Sequence, residues 1–416
     1  MFNPQPRLPY WSRTYGGFTE AQERFYRQHL PQSGKIHVLD PMGGQGYSLA
    51  SLVKDGFHVH LGDINPGPLM LAMLRSPEFQ ENATRLVRFV RSRVAKLRTA
   101  RPCKKAESTD TWLHKRVIEQ LRQYAQLIGL AAQEAPLAYN GSFWHAPMET
   151  RFATAIAVLA ARMVCCFYTT HNITWLKPGG LLRHHNIAEP LIEVLDKWKQ
   201  NPLPIPDASA CVQPGTLDVT RMNPVAKEFG NSLKAHAVVT SPPYANRLDY
   251  TRLWAPEHEV LNAMLPDSLS AVKTGQMGTT VLRHEEDQVD QRILPSCATD
   301  ALERIRTDGN YWADGYYYPF FRQYAVDLVK SLRNMSGRLR KNGLMIVFVR
   351  DTVRKDVLFP TGQMVREFLL REEGYREIDV HKEAIRAHIG LIRKDAHKSI
   401  HGTSQMEWWL AFQKGR

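Results

Sequence analysis

The side chains best suited to chemistry in this sequence lie in the turn Ser241-Pro242-Pro243-Tyr244, which closes the apolar run "AHAVVT". Two adjacent prolines remove two backbone donors and restrict the chain, so a stiff turn offers a hydroxyl, carbonyls and an aromatic ring where a strand ends. Its purely structural reading is a rigid connection with a core tyrosine. A second candidate is "DPMGGQG", residues 40–46, whose glycines tolerate positive φ and carry no Cβ to keep a ligand off the backbone. Its spacing is not the G-x-G-x-x-G of a dinucleotide site, and a tight connection alone would also use glycines. The third is Asp63, which ends "FHVHLGD" and either accepts hydrogen bonds from ribose hydroxyls or caps the following helix. Together, the glycine turn and the acid indicate a cofactor that contains adenosine.

These residues need elements to bring them together. "KIHVLD" (35–40), the helical pattern "YSLASLVKDG", "FHVHLGD" (57–63) and a helix behind Pro66 make a βαβα opening. Downstream, 235–240, 343–350, 375–380 and 407–413 read as strands, with helical stretches at 318–340 and 361–373. The alternation predicts an α/β fold with a doubly wound, Rossmann-like parallel sheet. Ligands of such sheets bind beyond the carboxyl ends of the strands, where strand order reverses, so the three candidates should meet there. Residues 76–206 are mostly helical and far too long for a crossover, which makes them a helical insertion between core segments 1–75 and 207–253. Residues 254–315, poorer in apolar periodicity, read as a loop or lid, and 316–416 complete the core.

"VLDPMGGQG", "GDINP" and "TSPPY" together resemble the S-adenosylmethionine-dependent methyltransferases that modify exocyclic amino groups of DNA bases. The resemblance covers the catalytic core and neither insertion. It implies a methyltransferase sheet, with S-adenosyl-L-methionine as cofactor. It implies that the turn of Asp40, Pro41, Gly43, Gly44 and Gly46 holds the methionine part, that Asp63 binds the ribose, and that Ser241 to Tyr244 form the catalytic site. Met42 departs from the family's more usual aromatic residue. "YWSRTYGGF", ending at Phe18, sits where the family often places an element closing over the methionine moiety; an aromatic cluster packed on the sheet is the other reading. Asp218 in "TLDVTRM" sits where an acid often contacts the adenine amino group, or else forms a turn.

The resemblance also implies a chemistry. The lone pair of an exocyclic amino group is delocalised into the base ring, which makes it a poor nucleophile. If the Ser241 hydroxyl and the Pro242 carbonyl accept hydrogen bonds from its N–H groups, the nitrogen can pyramidalise, and Tyr244 can stack on a base rotated out of the duplex. A serine at the head of the turn is more typical of the cytosine enzymes, which favours N(4) of cytosine over N(6) of adenine. Transfer should be direct, without an enzyme–base adduct, since Pro102-Cys103 lies in a basic, non-strand stretch rather than after the catalytic strand.

Lys+Arg 54 against Asp+Glu 41 leaves a net charge of +13, suited to a polyanion such as double-stranded DNA. Candidate phosphate contacts are Arg88 and Arg91 in a basic run, Arg247 behind the catalytic turn, and Arg393 and Lys394 between the last two strands; the basic run is equally well a solvated helix face. With no leader-like start and no bilayer-length apolar run, a cytoplasmic protein is expected. The 5 Cys and 16 His show no zinc spacing, so no metal is expected. The expected activity is site-specific DNA methylation beside the partners of a restriction–modification or defence system. RNA or protein amide methylation and an inactive DNA-recognition subunit are the alternatives. Target recognition is expected in 254–315, with removal of 271–294 sparing cofactor affinity.

Overall fold

The computed structural model describes residues 18–32, 34–46, 52–97, 108–130, 142–169, 176–181, 184, 186–201, 211–221, 233–246, 250–265, 270–283, 293–307, 313–354, 357–371, 373–384 and 405–415. Five strands run parallel: β1 (His37–Asp40), β2 (His58–Asp63), β3 (Cys211–Thr216), β4 (Ala235–Thr240) and β5 (Leu339–Arg350). β6 (Arg376–Ala384) and β7 (Met406–Gln413) add an antiparallel edge, in the order β6-β7-β5-β4-β1-β2-β3. Strand order therefore reverses between β1 and β4, so Asp40 and Thr240 end neighbouring strands.

Both faces of the sheet are covered, which is why β4 and β5 read as nearly continuous apolar runs. Val38, Leu61, Ala237, Val239, Ile346 and Phe348 point into one core, and Leu39, Val238, Met345, Val347 and Val349 into the other. The first core is closed by α1 (Glu20–His29), which starts with a Thr19/Gln22 capping box, and by α2 (Pro66–Met73), capped by Asn65. α2 has no polar face, and all its residues are buried, because helices from both insertions pack around it.

The expected helical insertion contributes α3 (Ala83–Val94), α4 (Lys115–Leu127), α5 (Met148–Leu159) and α6 (Ala188–Gln200). Their Leu86, Leu121, Phe152 and Trp198 continue the core of the sheet rather than forming a separate one. The Trp198 indole N–H donates to the Leu74 carbonyl at the end of α2, 3.0 Å away.

The expectation of a loop or lid over 254–315 is corrected. This segment holds α7 (Ala255–Met264), a short helix Ser270–Gly275 and α8 (Ser296–Arg306). The apolar periodicity of α7 is broken by Glu257 and His258, yet both are buried and paired. Arg162 Nε lies 2.7 Å from the Glu257 carboxylate, and His258 Nε2 lies 2.6 Å from Asn65 Oδ1. The second core is closed by α8, α9 (Tyr318–Ser336) and α10 (Thr361–Arg371). β3 lacked a clear strand pattern because Pro214 and Gly215 interrupt it, which an edge strand tolerates. Among the described residues, no helix is long and apolar enough to cross a membrane.

Candidate active site

At the reversal of strand order lies a cleft with about 1220 Å³ of empty space, part of it open to solvent. Three strand ends line it: Asp40 to Gln45 after β1, Asp63 to Asn65 after β2, and Ser241 to Tyr244 after β4. The convergence expected from the sequence is therefore met.

The first turn is held by its own backbone. Gly43 N–H donates to the Gly62 carbonyl at 2.8 Å, and Gly46 N–H to the Gly43 carbonyl at 2.7 Å. A Cβ at Gly43 would stand 2.2 Å from Leu61 Cδ1, and Gly44 sits at φ +50°. Only glycine lets the chain lie this close to β2 and turn back. Gly46 closes the turn and does not line the cleft.

Asp63 joins two of these segments. Its Oδ2 accepts from Gly44 N–H at 2.9 Å and its Oδ1 from Asn65 N–H at 2.7 Å, so the acid orders the glycine turn and the approach to α2. The helix cap itself is Asn65, whose Oδ1 accepts from Gly67 N–H at 3.1 Å. Burial, helped to a smaller extent by nearby Asp40, pushes the Asp63 carboxyl up to about 7 against the two amide bonds. Asp218 also lines the cleft while forming a turn: its Oδ1 accepts from Thr220 N–H at 3.0 Å and from the Thr220 hydroxyl at 2.6 Å.

Phe18 lines the cleft and packs on Phe348, ring centroids 4.7 Å apart, so it is an aromatic residue packed on the sheet at the cleft's edge. Residues 10–17 lie outside the described residues. Beside Phe18, Gln22 of α1 lines the cleft and donates to the Glu407 carboxylate. Glu407 ion-pairs with Arg350, whose guanidinium lies 5.1 Å from the Tyr244 ring centroid. The Tyr244 hydroxyl hydrogen-bonds the Ser241 side chain, and burial raises its pKa.

Sequence reasoning missed Gln22, Asn65, Trp254, Gln276 and Met277, all of which line the cleft. Gln22 belongs to no functional motif, and the last two follow a short helix with no motif. Because Gly275 to Met277 form part of the wall, removing 271–294 would breach the cleft, contrary to the expectation that cofactor affinity would survive it. Arg88 and Arg91 are exposed on α3 and do not line the cleft, and Arg91 pairs with Asp196 of α6. Arg247, Arg393 and Lys394 lie outside the described residues. Among the described residues, no group of three or more His, Cys, Asp or Glu could hold a metal ion.

No family model and no curated protein matches the chain. It is similar to two solved structures of the rRNA methyltransferase aviRa from Streptomyces viridochromogenes, at 12% and 13% identity. Each similarity covers 95% of this chain and 86% of that one, with TM-scores of 0.31 and 0.29. With superposition that loose, the site rests on its own geometry.

Proposed function

We propose that this protein transfers a methyl group from S-adenosyl-L-methionine to the exocyclic amino group of cytosine in double-stranded DNA, as the modifying enzyme of a restriction–modification or defence system. The observation that carries the reading is the meeting of the glycine turn, Asp63 and the Ser-Pro-Pro-Tyr turn in one cleft. The residues suit the cofactor: Gly44, at φ +50°, presents no side chain to the cleft, and the half-buried Asp63 carboxyl has lone pairs beyond its two amide bonds to accept ribose hydroxyls. When bound, the cofactor supplies an electrophilic methyl group.

The chain's own task is to prepare the nucleophile. The Ser241 hydroxyl and the Pro242 carbonyl accept hydrogen bonds from the amino group, which frees its lone pair from the ring. Rigid prolines keep those acceptors in place, so the transition state needs little reorganisation. The Tyr244 ring, with Arg350 beside it, is the surface for a base rotated out of the duplex. Among the described residues no cysteine lines the cleft, which supports direct transfer over an adduct. Adenine is the alternative base, since the same acceptors suit its amino group.

Incubation with tritiated S-adenosylmethionine and, in parallel, duplex DNA, RNA and bulk protein tests the substrate class. Label in duplex DNA supports the reading; label confined to RNA or protein overturns it.

A further inference from the structure

A turn with two prolines has a holding problem. Pro242 and Pro243 have no N–H, so neither can tie the turn to a neighbour by donating, and its position must be fixed by other means. Two tyrosine hydroxyls supply them, one close by in sequence and one far away. Tyr324 of α9, 1% exposed, donates from its hydroxyl to the Pro243 carbonyl at 2.9 Å. The Tyr250 hydroxyl bonds the backbone of Tyr244; burial raises its pKa and this bond opposes the rise, as an amide N–H donor does by favouring the phenolate. The Pro243 carbonyl and the Tyr244 amide belong to one peptide plane, so the two hydroxyls grip its opposite edges.

The surroundings make the grip firm. The Tyr324 ring packs edge-on against Phe359, with centroids 6.0 Å apart. Gly278, at φ +72°, brings its backbone under the same segment: a Cβ there would lie 3.3 Å from the Tyr244 carbonyl oxygen and 3.9 Å from Pro243 Cβ. Burial pushes the hydroxyls of Tyr244, Tyr250 and Tyr324 upward, which keeps them protonated at any ordinary working pH.

We propose that Tyr324 and Tyr250 are positioning residues that clamp the Pro243–Tyr244 peptide and thereby aim the Pro242 carbonyl into the cleft, a role that rests on the proposed catalytic reading of this turn. The Pro243 ring fixes its own φ, so once the following plane is pinned only ψ of Pro243 is left to turn the Pro242 carbonyl. The Ser241 hydroxyl and the Pro242 carbonyl then remain as the turn's acceptors for a substrate amine, while the Pro243 carbonyl is spent on Tyr324.

Tyr324→Phe removes one hydroxyl and keeps the ring, and Tyr250→Phe does the same on the other edge. With tritiated S-adenosylmethionine and duplex plasmid DNA, each variant should lower kcat about tenfold while the KM for the cofactor stays at its wild-type value and the thermal midpoint falls only by the small amount that one lost buried hydrogen bond brings. A purely structural role would lower the midpoint and spare kcat. Crystal structures of the wild type and Tyr324→Phe give a readout independent of activity, with the Pro243–Tyr244 peptide expected to rotate in the variant. Unchanged kcat beside an active wild type, or an unrotated peptide, overturns the clamp. A wild type that methylates nothing refutes the proposed function instead, and the crystal comparison then decides the clamp alone.

Discussion

Asp63 carries the most information of any single residue, because its carboxylate touches both the glycine turn and the start of α2. Asp63→Ala should weaken S-adenosylmethionine binding by roughly 1.5 to 3 kcal/mol for each charge-assisted bond lost, read by calorimetry; unaltered affinity would remove Asp63 from the site. The substitution of Tyr244 acts on the other reactant. Tyr244→Ala should cost about 1 to 3 kcal/mol of stacking and most of the transfer rate, with cofactor affinity retained. A rate equal to wild type would contradict the stacking role.

Protonation gives a second handle. In the folded protein Asp63 titrates at about 7 rather than near 3.8, so the native state holds a proton that the unfolded chain has already lost, and this group lowers stability as pH rises from about 4 to 7. His60 works in the opposite sense. Burial, and then neighbouring His37, lower its pKa to about 4, so its contribution is fully present above the ordinary histidine value and lost as pH falls toward 4. Denaturant melts between pH 4 and 7 should therefore show Asp63→Asn steepening the rise of stability with pH and His60→Asn flattening it. Identical pH profiles for the two variants would contradict both assignments.

At the scale of elements, α10 is locked to β7 at one point. A Cβ on Gly362 would stand 2.2 Å from Trp408 Cγ, so Gly362→Ala should overpack this contact and cost about 1 to 3 kcal/mol, seen as a lower thermal midpoint. An unchanged midpoint would mean that the helix shifts freely. How much could be read beforehand differs from element to element. β4 was legible as 235–240 because a strand buried on both faces shows an unbroken apolar run. α7 was not, because its buried Glu257 and His258 are paired with Arg162 and Asn65, partners far away in the chain. Asp40, Asp63 and Ser241 were legible as cleft residues because each ends or directly follows a strand. Tyr324 was not, since a tyrosine inside an amphipathic helix carries no motif and meets Pro243 only after folding.

At the scale of the whole molecule, the sheet brings three strand ends together at its switch point, while the helical insertion and α7 thicken one face, α8 packs on the other, and the Gly275 to Met277 segment walls the cleft. The central claim is that this cleft methylates an amino group of a DNA base, and that the base is cytosine. The most direct measurement is mass spectrometry of nucleosides from duplex DNA incubated with the protein and S-adenosylmethionine. A single new nucleoside is expected, 2′-deoxycytidine methylated on its exocyclic nitrogen, and its absence with Tyr244→Ala. Methyl on adenine would contradict the choice of base, methyl on the carbon ring of cytosine would contradict the mechanism, and unmodified DNA beside methylated RNA would contradict the substrate.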